Sequence, residues 1–240
     1  MPESIIQIAG VLAILLVTGL AIGFSSRSSF SVRWLLVAAA LVFLNDAALT
    51  NLYGTLPNLL PASEWNWQGK ILALMVTLVV AALSWFGWRK AGITLSQAQG
   101  SLRACLPAAI AYCLFFAAIA LVFGGEEASA ETVAFQLTMP SLEEELFYRG
   151  LLLLALDRAF TGRIRFAGVE WGWGAVLSSL VFGLAHALSY SDLGGFSLDP
   201  AYMALTFVPS FLAIWMRLRT GSVVLPVLLH SVGNSLPLIM

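Results

Sequence analysis

Long apolar stretches separated by short polar or Gly/Pro-bearing segments make up nearly the whole chain. Eight of them approach the ~20 residues a helix needs to cross ~30 Å of hydrocarbon. They are Ile5 to Phe24, Trp34 to Leu52, Ile71 to Trp88, Cys105 to Phe123, Leu142 to Ala159, Trp173 to Ser189, Ala201 to Met216 and Val223 to Met240. The shorter ones suffice if they are flanked by interfacial residues or tilted little. The pattern predicts an all-α fold, a polytopic membrane helix bundle of about eight transmembrane helices, forming a single membrane domain over residues 1–240. The first stretch has Glu3 where a signal peptide would carry basic residues, and it lacks a small-residue exit site, so it reads as a retained span. The clearest connector runs from Gly124 to Pro140 and contains Glu126, Glu127 and Glu131. Thr94 to Arg103 reads as an ordinary loop in preference to a surface helix.

Composition narrows the class. At 60% hydrophobic and 10% charged residues, with a mean hydropathy of +0.90, the chain has too little polar surface to cover a soluble globule. A net charge of −1, with Lys and Arg scattered singly or in pairs, provides no basic field for nucleic acid. Cys105 and Cys113 fall eight residues apart in one apolar run, roughly 12 Å along a helix, so they are packing residues and not a disulfide. Ten of the 12 basic residues (Arg27, Arg33, Arg89, Lys90, Arg103, Arg158, Arg163, Arg165, Arg217 and Arg219) lie in alternate connectors, and Lys70 stands at an edge. The positive-inside rule makes those connectors cytoplasmic and puts both termini and the acidic Gly124 to Pro140 segment outside.

Strongly polar groups inside a span cost several kcal/mol unless they are partnered, so each is a functional candidate. They are Asn45 and Asp46 in the second span, Glu143, Glu144, Glu145 and Arg149 in the fifth, His186 in the sixth, and His230 and Asn234 in the eighth. Both histidines of the protein are among them, and interhelical packing alone is the competing explanation. Ser141-Leu-Glu-Glu144 also has the form of a capping box, with acids suited to the first turn of a helix. Arg149 argues against that bland reading. It lies i,i+4 from Glu145 in an apolar helix and needs a carboxylate, which leaves Glu144, about 100° around the helix, as an acid without a fixed cation. Such a carboxylate can act as a base toward water. His230 and Asn234 are again i,i+4 and can converge on an oxyanion, while Phe182 stands one turn before His186, as pocket wall or plain core. Asn45 and Asp46 are expected to make interhelical hydrogen bonds, with lining of the site as the other possibility for Asp46.

Glu144-Glu-Leu-Phe-Tyr-Arg149, Phe182-Gly-Leu-Ala-His186 and His230-Ser-Val-Gly-Asn234 resemble the EExxxR, FxxxH and HxxxN motifs of the CAAX-processing and bacteriocin-processing (CPBP) intramembrane proteases. The resemblance runs from about Pro140 to the C-terminus, so residues 140–240 hold the motif-bearing spans and residues 1–123 four spans without a motif. It implies a glutamate-activated water: Glu144 and His186 activate it, His230 and Asn234 stabilise the tetrahedral oxyanion, and Glu145, Arg149 and Phe182 support the site. It also implies an integral protein of a prokaryotic inner (plasma) membrane, acting on a membrane-anchored protein or peptide within the lipid bilayer. Glu143 is an acid the motif leaves unexplained. No cofactor is expected. Two histidines and a glutamate could hold zinc, but neither histidine sits in HExxH and Asn234 is a poor zinc ligand. The charge distribution opens the site outward, so the expected substrates are anchored or exported proteins cut near the outer leaflet. A non-catalytic scaffold or bacteriocin-immunity protein that keeps the fold is the main alternative; a proton-relay transporter lacks the duplicated interrupted spans.

Overall fold

Apolar residues on every face of a segment favour a helix whose backbone is satisfied internally and whose side chains meet lipid or other helices. The structure, a computed structural model, describes residues 3–123 and 128–239. It is mostly helical, as the sequence predicts. The helices are α1 (Glu3–Ser25), α2 (Val32–Leu49), α3 (Trp67–Ala82), α4 (Ser101–Phe123), α5 (residues 130–159), α6 (Trp173–Ala187), α7 (Pro200–Thr220) and α8 (Val224–Ile239). Four of these, α1, α2, α4 and α7, are long and apolar enough to cross a membrane, and α3, α6 and α8 are shorter apolar helices. Exposed Val17, Val79, Leu114, Leu121 and Val208 give the outer surface the character that acyl chains require.

Helix α5 is central and packs against α2, α3, α6 and α8. It corrects the sequence reading at its start. Residues 130–140 are helical and not a connector, and the helix is capped by Ser129, whose hydroxyl accepts from the Thr132 N–H. Glu126 and Glu127 lie outside the described residues. Ser141 is therefore no cap; its hydroxyl donates to Thr138 O and meets Ser231 Oγ of α8 at 2.7 Å. The acids that follow it sit in mid-helix, where helix-dipole capping cannot account for them.

Glu145–Leu152 forms a π-helical section within α5. Widened turns of this kind recur at functional sites because they displace side chains from the regular helical face. Tyr148 O within it accepts from Ser178 Oγ of α6, and a Cβ added at Gly150 would come within 3.0 Å of the backbone oxygen of Ala91. A buried core of Leu15, Leu35, Phe147, Leu151, Leu156 and Leu177 joins α1, α2, α5 and α6.

The connectors carrying the ten basic residues meet at one end of the bundle. There Arg158 donates to Trp85 O, Arg217 to Lys90 O and Arg219 to Gly168 O. A short hairpin, β1 (Ile164–Phe166) with β2 (Val169–Trp171), turns through Ala167 and Gly168, both left-handed as a two-residue hairpin turn of this type demands. Thr94 to Gly100 is a loop, as expected, and α4 begins at Ser101. At the opposite end lie Trp65, Ser129 and a second hairpin, β3 (Leu188–Ser191) with β4 (Gly195–Leu198). Neither hairpin was evident from the sequence. Helix α2 ends in a left-handed turn at Asn51–Tyr53, where the Tyr53 hydroxyl donates to Asp46 Oδ2 at 3.0 Å. Asn45 does bridge helices, but Asp46 is held by this neighbouring turn instead of by another helix.

Candidate active site

Helices α3, α4, α5, α6, α7 and α8 surround a cavity of about 650 Å³ with largely apolar walls. Its polar lining includes Lys70, Glu144, Glu145, His186, His230 and Asn234. The four groups expected to carry chemistry thus reach one cavity from three helices.

Glu144 is 7% exposed, and its two oxygens have different surroundings. Oε1 accepts from Lys70 Nζ at 2.6 Å. Oε2 has no hydrogen-bond partner among the described residues and faces His186 Nε2 at 3.7 Å and His230 Nε2 at 3.8 Å. These separations exceed a direct hydrogen bond and suit a bridging water or substrate oxygen. His186, the penultimate residue of α6, has Nδ1 2.8 Å from Phe182 O, so Nδ1–H donates to the backbone and Nε2 is directed into the cavity. His230 Nδ1 is 2.8 Å from Glu145 Oε1, which turns its Nε2 toward Glu144 in the same way.

Arg149 lies deep in the protein, 2% exposed. One guanidinium nitrogen stands 3.1 Å from Glu145 Oε1, within ion-pair distance but not aligned for a hydrogen bond. The guanidinium carbon also sits 3.9 Å over the Phe182 ring. Phe182 in turn has its centroid 4.6 Å from that of His186 and 6.4 Å from that of His230. Phe182 therefore backs both imidazoles and the arginine, and is not a remote core residue. Asn234 donates from Nδ2 to Gln136 Oε1 at 3.3 Å. Nδ2 carries a second hydrogen for another acceptor, but the side chain is not within hydrogen-bond distance of Glu144 or either histidine.

Sequence reasoning did not single out two residues of the site, Lys70 and Gln136. It also left Glu143 unexplained, and Glu143 proves to be fully buried with its two oxygens taken by Asn45 Nδ2 and Lys70 Nζ, each at 2.7 Å. An unpaired basic residue in the first turn of an apolar helix was the available signal for Lys70. Gln136 carried none, because it stood in a segment that read as a connector.

As a resident metal site the arrangement fits poorly. A divalent ion on Glu144 Oε2 and the two imidazoles would face the Lys70 ammonium across a single carboxylate, and like charges this close repel strongly in a low dielectric.

The fold and this polar centre define an integral membrane helical bundle with an acid and two imidazoles meeting inside it. Residues 127–236, which include every motif residue named above, match the model of a protein family described as type II CAAX prenyl endopeptidase Rce1-like. That match supports placing the chain among the CPBP, CAAX-type proteases, and with them a hydrolase acting on a peptide in the membrane. No curated protein and no solved structure matches the chain significantly.

Proposed function

We propose that the protein is an intramembrane endopeptidase in which Glu144 activates a water against a peptide bond of a membrane-anchored or exported protein. The observation that carries this reading is the unpartnered Glu144 Oε2, buried in a cavity and directed at two imidazole nitrogens. A carboxylate there can take a proton from water while His186 Nε2, an acceptor by virtue of its Nδ1 bond to Phe182 O, aligns the second hydrogen. The resulting hydroxide attacks the scissile carbonyl, and the proton held on Glu144 passes to the departing amine. The free hydrogen of Asn234 Nδ2 and the His230 ring, oriented by Glu145, are assigned to the tetrahedral oxyanion. Glu145 and Arg149, both almost fully buried, orient His230.

No metal takes part in this scheme. The Lys70 ammonium already provides the positive charge beside Glu144. Purified protein should lose no turnover on chelation; stoichiometric zinc whose removal abolishes activity would replace this scheme with a metal-dependent one.

The clustering of basic connectors at one end supports an orientation with both termini outside and the Trp65 side of the cavity toward the outer leaflet. Substrates would then be cut near that boundary, as in processing or sorting of C-terminal anchors. Comparing membrane proteomes of cells carrying the wild type and Glu144→Gln tests the function. Anchored proteins should accumulate uncut in the variant. An unchanged proteome together with a retained phenotype would favour a scaffold or immunity protein, since glutamine preserves shape.

A further inference from the structure

The proposed base carries a feature that lies outside both the motif and the matched residues 127–236: Lys70 of α3, fixed in turn by Glu143 and Asn45. We infer that Lys70 is a positioning residue for Glu144, holding one oxygen by a charged hydrogen bond and keeping the carboxylate ionised so that the other oxygen is offered to the imidazoles. This deepens the proteolytic reading and rests on it.

The connectivity supports the inference. The ammonium bonds Glu143 Oε2 at 2.7 Å and Glu144 Oε1 at 2.6 Å, and Asn45 Nδ2 of α2 secures the remaining oxygen of Glu143 at 2.7 Å. Three helices thus fix one chain of charge: amide, carboxylate, ammonium, carboxylate. Glu143 does not line the cavity, and its side chain is fully buried, so it is placed to hold Lys70 and not to meet substrate. Among the described residues, Lys70 is the only group within hydrogen-bond distance of Glu144.

The charges around Glu144 can be taken helix by helix. Glu143, Glu145, Arg149 and Tyr148 share its helix; His186 faces it from α6 and His230 from α8. Tyr112 of α4 and Tyr202 of α7 line the same cavity, and Asp46 of α2 is bound to Tyr53. Arg149 is committed to Glu145. Lys70 is therefore the fixed cation of the Glu143 and Glu144 pair. Without it, two adjacent carboxylates in an apolar surround could not both stay charged and would share a proton, which removes the base.

The test uses full-length protein in nanodiscs with glutamate ¹³C-labelled at the side-chain carboxyl, titrated by infrared spectroscopy; Glu144→Gln identifies the Glu144 band. Lys70→Met should bring in a protonated carboxyl band at a pH at least about one unit higher than in the wild type, tenfold in proton affinity. Lys70→Met with Glu143→Gln should reverse part of that change, and Lys70→Arg should retain the ionised band. Turnover of a quenched-fluorescence library of transmembrane peptides should follow, with the acid limb of the Lys70→Met profile moved to higher pH and activity recovering on the alkaline side.

An unchanged Glu144 band and acid limb in Lys70→Met would overturn the inference, as would loss of the ionised band in a folded Lys70→Arg variant. Loss of the base reading shows up separately: Glu144→Gln would then cut the library as well as the wild type does, whatever Lys70 does to the infrared band.

Discussion

Glu145 holds His230 by the nitrogen remote from the cavity, with Nδ1 and Oε1 2.8 Å apart, and so fixes which edge of the imidazole faces the neighbouring Glu144. The two consecutive acids of α5 thereby reach opposite sides of one ring.

Glu145→Gln keeps the shape but removes the charge that both His230 and Arg149 need. Turnover should fall by about 10²–10³, the range associated with loss of an oxyanion donor. Michaelis constants should change little, because Glu145 is almost fully buried and its Oε1 is engaged by His230. A fall confined to substrate affinity would remove the orienting role.

Arg149→Leu should harm stability more than chemistry. It leaves the buried Glu145 carboxylate without its cation, a loss of about 3–5 kcal/mol for a broken buried pair. Arg149→Lys is no rescue, since an ammonium replaces neither the planar stacking over Phe182 nor the reach to Glu145. Thermal unfolding in detergent, with the Glu144→Gln variant as an inactive but intact reference, checks both.

Much of this arrangement was legible in the chain, because a membrane makes apolar length and misplaced polarity unusually informative. The eight stretches became α1 to α8, and six of the nine polar residues that did not belong in lipid, Glu144, Glu145, Arg149, His186, His230 and Asn234, line the cavity. The start of α5 was misread because Pro140 and a run of acids look like a helix beginning, whereas the N-terminal cap is Ser129. The π-helical section escaped because nothing in a 3.6-residue period marks a widened turn. Lys70 escaped for a different reason: its partners lie 73 and 74 residues away, and only the packing of α3 on α5 brings them together.

Gly150→Ala tests how closely α5 must approach the turn after α3. The added methyl would meet the Ala91 carbonyl at 3.0 Å, a backbone atom that cannot swing aside. Overpacking of this kind costs about 1–3 kcal/mol. The expected result is a lower unfolding temperature, with activity reduced in proportion to the folded fraction; unaltered stability would show that the helix can shift freely here.

The orientation is tested with single cysteines after Cys105 and Cys113 are replaced. Leu193, fully exposed in the β3–β4 turn, and Arg165, exposed in β1, lie at opposite ends of the bundle. In intact cells a membrane-impermeant maleimide should label Leu193→Cys and spare Arg165→Cys until the membrane is opened. The reverse pattern would turn the site toward the cytoplasm and with it the class of substrate.

The Trp65 end of the bundle offers a pH dependence whose sign is set by Glu131, in the first turn of α5 beyond the apolar part of that helix. The Ser63 hydroxyl, the Glu64 backbone N–H and the Trp67 indole all donate to its Oε1, the last two at 3.1 and 3.0 Å. These bonds, the Ser63 hydroxyl foremost, hold the carboxyl below its usual range. A group whose folded value is lowered contributes stability above its unfolded value, about pH 4.3 for glutamate, and that contribution is lost as pH falls through the folded value. Wild type should therefore exceed Glu131→Gln in unfolding temperature near neutrality, and the gap should close as the medium is acidified below the normal glutamate range. Trp65 shares this loop with Ser63 and also lines the cavity, so acidification should loosen the cavity wall at this end of the bundle. A gap that persists unchanged into strong acid would mean that the carboxylate does not fasten the loop.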